Sequence, residues 1–199
     1  FCFNLHDQRS IFNVENSPNP ATISFLAPSE DIERTLTEGR QQTMSVIVSM
    51  NELLQTVIPN HIGRYTDEFY PTATGDNFQK LGYNTILIEA GHYKDDYDRE
   101  ITRKFNFYAL LQGLLFIATS KSFRNYAPYF KIPNNDKKYL DKIYKNINII
   151  ENNELKKTDV GIQFKFKVKM DKLEKYEEIE HKGDLSKYYC ENVVNEDKL

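Results

Sequence analysis

The sequence predicts an α/β protein: a mixed sheet with flanking helices, followed by a small β-rich appendage. Three observations predict it. Apolar and polar residues alternate from Phe1 to Leu5, as in a strand with one buried face, whereas Ile86-Leu87-Ile88 is a continuous aliphatic run of the kind buried on both faces. Two stretches, 30–56 and 96–119, repeat their apolar residues with the helical period of about 3.6. Beyond Ser120 the composition turns to Asn, Lys and Tyr, and Gly161 to Met170 alternates strictly. The expected division is therefore 1–124 for the main domain and 125–199 for a linker and a small β-hairpin extension.

The elements follow in order. Residues 1–6 read as a strand that ends in four polar residues, His6, Asp7, Gln8 and Arg9. The strand starts at Phe1 itself, with no initiator Met, so a fragment of a longer protein is expected. Pro18 and Pro20 hold the next loop extended, and 21–27 is a second short strand. Ser29 is the candidate N-cap of the first helix, with Glu30, Asp31 and Glu33 suited to its positive end, and Pro59 stops it. Residues 58–82 lack a period and read as a long irregular loop, which is uncommon unless functional or disordered. It carries His61, Arg64, Tyr65, Asp67, Tyr70 and Asp76. The strand at 84–91 ends in Glu89, a carboxylate costly to bury unless paired, bound or open to a cleft. The second long helix follows to Thr119. A short helix near 136–146, a strand at 161–170 with a hairpin partner at 175–181, and a frayed tail at 191–199 complete the expectation. The lysine row Lys165, Lys167 and Lys169 reads as a solvated, edge-protecting face before it reads as an anion site.

Composition excludes several function classes. Hydrophobic content of 40% with 28% charge is that of a globular protein, and 199 residues suffice for a sizeable core. The net charge of -3 gives no electrostatic case for nucleic acid or an anionic membrane, and no apolar run is long enough to span a bilayer. Cys2 and Cys190 resemble neither a disulfide framework nor a metal knuckle; reduced thiols in a cytoplasmic protein are expected.

A lone histidine at a strand end is more often hydrogen-bonded structure than a ligand. The pattern is what points to chemistry: His6 and Glu89 both close strands, and a long glycine-punctuated loop lies between them. A metallohydrolase needs a neutral imidazole for zinc and a nearby carboxylate to accept the proton of metal-bound water.

The stretches Phe3 to Phe12, Pro20 to Pro28, Ile62-Gly63-Arg64-Tyr65, Thr74-Gly75-Asp76-Asn77-Phe78 and Thr85 to His92 occur in an order that resembles the C-terminal half of zinc carboxypeptidases of the M14 metallopeptidase family. Bacterial members, particularly those of Bacteroidetes, are the most similar, and Asp159 to Gln163 with Lys182 to Ser186 resemble their C-terminal extension. The resemblance implies a zinc carboxypeptidase (phosphorylase/hydrolase-like) fold, here incomplete, and a metallocarboxypeptidase that removes C-terminal residues from peptides. It implies that His6 is a zinc ligand, and that Glu89 is the general base that later protonates the leaving amine. Tyr70 would close over substrate, with Tyr65 as the alternative, and Arg64, Tyr65 and Arg9 would contact substrate.

The family's other zinc ligands come from a His-x-x-Glu motif upstream of the position of His6, and no such motif occurs here. This chain is therefore expected to hold half a site, to bind zinc weakly, and to need an upstream half of the same polypeptide or to self-associate through an exposed sheet edge. Two other functions remain open: a zinc hydrolase of N-acyl amino acids of the aspartoacylase or succinylglutamate desuccinylase type, and an inactive peptidase-like binding module.

Overall fold

The computed structural model describes residues 1–195, and the chain divides into two compact units, one from Phe1 to Asp136 and one from Lys137 onward. The first unit is mixed α/β. In chain order it holds β1 (Cys2–Asp7), β2 (Asn13–Val14), β3 (Ile23–Leu26), α1 (Glu38–Val57), β4 (Ile62–Arg64), α2 (Thr74–Lys80), β5 (Thr85–Ala90), α3 (Glu100–Thr119), a 3₁₀ turn at Ala127–Lys131 and β6 (Asn135–Asp136).

Its main sheet has the order β1-β5-β3-β4, with β1 parallel to β5, β3 antiparallel to β5, and β4 parallel to β3. The aliphatic run sits where its composition demands: Ile86 and Ile88 are fully buried on β5, between two neighbouring strands. α1 and α3 pack on one another and on β5. Met44, Ile47, Met50 and Leu54 of α1 meet Phe25, Ile62, Phe105 and Ala109 in one core. Burying each such side chain contributes about 1.5–3 kcal/mol. β1 and β4 are the edge strands, and α3 leaves Phe107, Leu111, Leu114 and Leu115 exposed.

Several boundaries differ from expectation. α1 begins at Glu38, not near residue 30, because Arg34 takes a left-handed conformation (φ 58°) that a helix cannot contain. Thr37 is the N-cap, its Oγ1 accepting the Arg40 amide, while Ser29 Oγ donates to the Asp67 carbonyl instead. The irregular loop 58–82 hides β4 and α2. The second long helix starts at Glu100 rather than 96, with Asp96 accepting the amides of Ile101 and Thr102. Residues 125–136, expected in the appendage, belong to the first unit: Tyr129 is fully buried, its hydroxyl accepting the Ala27 amide at 3.0 Å, and Ile132 is buried beside it.

The second unit is a four-stranded sheet rather than a hairpin: β7 (Tyr139–Glu151), β8 (Glu154–Lys169), β9 (Lys172–Lys182) and β10 (Tyr189–Asn195), in the order β10-β7-β8-β9. The helix expected at 136–146 is the start of β7, and residues 191–195 of the expected tail form most of β10; residues 196–199 lie outside the described part. Asn152-Asn153 and Met170-Asp171, all with positive φ, make the two-residue turns on either side of β8. Leu140, Ile143 and Leu185 form its small core. The lysine row lies on an inner strand, not an edge, and two of its members are paired: Lys165 lies 3.3 Å from Glu178, and the Lys167 ammonium lies over the Tyr176 ring. Cys2 and Cys190 are free thiols, and no described helix is long and apolar enough to cross a membrane.

Candidate functional site

The register of β1 on β5 places His6 directly beside Glu89, at the carboxyl ends of two adjacent parallel strands. Open α/β sheets build sites at such ends because side chains there leave the core while the backbone stays fixed. His6 Nδ1 lies 3.1 Å from Glu89 Oε1. A carboxylate only accepts, so the shared proton sits on Nδ1, and in the neutral ring the lone pair is on Nε2. The imidazole is half exposed, whereas the Glu89 side chain is 14% exposed. Burial raises the Glu89 pKa; the His6 pairing opposes that, and the neighbouring Asp7 charge adds to it. A carboxylate tuned upward is the kind suited to take a proton near neutral pH.

Tyr65 lies near enough to this pair for its phenol to feel the Glu89 charge. Its amide donates to the Phe25 carbonyl, and its hydroxyl donates to Gln8 Oε1 at 2.7 Å. Burial and the Glu89 charge together push the phenol far above its ordinary range, so it stays a neutral donor. Gln8 is itself locked: it is buried, its Nε2 donates to the Ala21 carbonyl at 2.9 Å, and its Oε1 also accepts from Asn135 Nδ2 at 3.3 Å. Asn135 reaches in from β6 and exchanges hydrogen bonds with the buried Ser24 of β3. Gly91 lets the chain after β5 run hard against the Ala21–Thr22 backbone, its amide donating to the Thr22 carbonyl, since a Cβ at that position would lie 1.9 Å from the Ala21 carbonyl oxygen.

The other sequence candidates go elsewhere. The Tyr70 side chain is exposed, and its hydroxyl donates to Glu68 Oε2 at 2.9 Å, so it is the Tyr65 phenol that feels the Glu89 charge. The Arg64 guanidinium lies over the rings of Tyr129 and Phe130, and its Nε donates to the Ile132 carbonyl. Arg9 is exposed just past β1. His61 Nδ1 is 3.0 Å from the Pro20 carbonyl, and its pKa is lowered by burial; His92 is buried against Tyr97. Asn135, Ser24 and Arg99 carry structure at this site that sequence reasoning missed. Ser24 alone left a trace, as a polar residue inside an apolar strand.

Among the described residues, no three His, Cys, Asp or Glu side chains form a group able to hold a metal ion. His6 and Glu89 give one imidazole and one carboxylate, fewer than the three protein ligands of a catalytic zinc. These residues alone do not fit zinc. No protein-family model, curated protein or solved structure matches this chain.

Proposed function

We propose that this chain carries half of a hydrolytic site of the zinc carboxypeptidase kind, acting on the C-terminal bonds of peptides. The observation that supports it is the juxtaposition of His6 and Glu89, register partners on parallel strands with a burial-tuned carboxylate. In this reading Glu89 takes the proton of the attacking water on Oε2, the oxygen not engaged with His6, and returns it to the leaving amine. His6 would supply one of the metal's ligands, its ring held by the Nδ1 contact with Glu89. Tyr65 takes the place of Tyr70 in this reading, its hydroxyl donating to Gln8 at rest and turning to a substrate oxygen only by giving up that bond. Arg9, exposed just past β1, is a cation that could meet a peptide carboxylate.

The remaining ligands belong to a completing segment, and the outer edge of β1 with the exposed apolar residues of α3 is the surface it packs on in this reading. Without that segment the same surface drives self-association. The two free thiols suit a reducing compartment such as the cytoplasm.

Titrating the chain with zinc tests the ligand assignment. A weak site is expected, abolished by His6→Ala and untouched by His92→Ala. Stoichiometric tight binding lost on changing His92 or Asp95 would overturn it. In this reading the chain together with its completing segment should cleave peptides with a free C-terminus and spare amidated ones, and Glu89→Gln should lower the rate about 10²–10⁴-fold. Turnover of N-acyl amino acids in place of peptides would refute the carboxypeptidase reading.

A further inference from the structure

The Arg99 guanidinium sits at the one point where the strands bearing His6 and Glu89 end together. Its Nη1 donates to the Gln8 carbonyl at 3.2 Å, and its Nη2 donates to the Ala90 carbonyl. Nη2 also lies 2.8 Å from Asp7 Oδ1. These three acceptors belong to Asp7 and Gln8, the two residues after His6, and to Ala90, the residue after Glu89. The last registered pair of the ladder is Asp7 with Ala90, followed by the Gln8 amide donating to the Ala90 carbonyl at 2.8 Å. Arg99 thus closes the ladder one residue beyond the functional pair.

The chain holds Arg99 in place at a steric cost. Its backbone is left-handed (φ 65°), a conformation that an L-residue with a Cβ adopts only when its surroundings impose it. The Asp96 side chain imposes it by accepting the amides of Ile101 and Thr102 and the Thr102 hydroxyl, which pins the start of α3; the Arg99 amide donates to the Asp96 carbonyl. An arginine serves here because its planar fork presents several N–H groups at once, whereas an ammonium is a single point.

We propose that Arg99 is the positioning residue of the His6–Glu89 pair, clamping the two strand ends so that imidazole and carboxylate stay within hydrogen-bond reach. The proposal rests on the reading of His6 and Glu89 as a working pair. The ion pair with the 78% exposed Asp7 side chain is secondary, because a solvated carboxylate adds little. The two backbone carbonyls do the clamping.

The test uses the 199-residue chain with its imidazole nitrogens resolved by long-range ¹H–¹⁵N correlation at one fixed pH. In wild type, His6 should show a single dominant tautomer with the proton on Nδ1. In Arg99→Gln and Arg99→Lys the two nitrogen signals should converge as the ring exchanges between tautomers. The Gln8 amide should exchange with solvent roughly tenfold faster in both, the loss expected of one hydrogen bond to a charged group. Asp7→Asn, which keeps an acceptor oxygen, and Arg103→Gln, which breaks an exposed pair with Glu100, should leave both signatures as in wild type. Helical circular dichroism establishes that each variant is folded, and Arg99→Lys decides the matter where Arg99→Gln does not fold. Wild-type His6 signals in a folded Arg99→Lys or Arg99→Gln would overturn the proposal, as would an equal disturbance by Asp7→Asn. Neither readout depends on zinc or on turnover, so failure of the hydrolase reading and failure of the clamp are told apart.

Discussion

At the scale of single residues, the site is legible only in part. His6 and Glu89 stand out because a strand pattern stops on each, and the sheet makes them neighbours although 83 positions separate them. Their supports were hidden for a physical reason: a hydrogen bond across 57 or 127 positions, such as those of Gln8 with Tyr65 and Asn135, leaves no local pattern to read. Gly63 illustrates the consequence. Its missing side chain makes room for Asn135, since a Cβ there would lie 1.8 Å from Asn135 Oδ1 and 3.3 Å from Ser24 Oγ. Gly63→Ala should therefore expel the amide, strip Gln8 and Ser24 of a partner, and cost about 1–3 kcal/mol in denaturant unfolding. Asn135→Ala combined with Gly63→Ala should cost less than the sum of the two single variants, because the clash and the lost amide are one event. Additive costs would show that Gly63 matters for its backbone alone.

At the scale of elements, strands and helices with an unbroken period are legible and those interrupted by side-chain chemistry are not. β5 is read from its aliphatic run. β7 is misread as a helix because Leu140, Ile143, Tyr144 and Ile147 stand at helical spacing, and the bulge between Tyr144 and Ile147 breaks the alternation that would have revealed a strand. β4 has three residues and no period at all. The start of α1 is set by the left-handed Arg34, with an ion pair behind it, rather than by periodicity. Arg40, buried in its first turn, pairs with Asp67 and donates to the Arg34 carbonyl, which ties the helix to the loop carrying Tyr65 and Tyr70. Burial alone would raise the Asp67 pKa, but Arg40 and then Arg34 hold it below its ordinary value. Asp67→Asn leaves the Arg40 charge buried without a counter-charge and should cost about 3–5 kcal/mol near neutral pH. The sign of the pH dependence follows from the lowered folded value. The stabilisation is complete above the ordinary aspartate value of 3.8 and is lost as pH falls through the folded one. Acid-unfolding curves of wild type and Asp67→Asn should differ across the neutral range and converge only at the acid end. Parallel curves down to that end would show that the pair does not carry the difference.

At the scale of the whole molecule, the two units differ in how much apolar surface each buries. The first gathers its core from β3, α1, β4, β5, α3 and the 3₁₀ turn, with residues such as Phe25, Met50 and Tyr129 fully enclosed. The second rests on Leu140, Ile143 and Leu185, with Tyr188 and Cys190 packed alongside. Its long β8–β9 arm holds by ladder hydrogen bonds and cross-strand pairs, while Phe166, Val168 and Leu173 stay exposed. Cross-strand pairs contribute only about 0.2–1 kcal/mol each, so a sheet with so small a core sits near the margin of independent stability. Amide exchange should register that difference. Protection should be highest in β3, β5 and α1, lower in β7 and β8 near Leu140 and Gly161, and lowest toward Met170. Ile143→Ala should cost about 2–4 kcal/mol locally and abolish protection across β7, β8 and β10 while leaving β5 at its wild-type rate. Met50→Ala, in the larger core, should instead lower protection throughout β3, β5 and α3. Loss of β5 protection in Ile143→Ala would show that the small sheet and the α/β unit unfold as one, and that the His6–Glu89 pair at the end of β5 depends on both.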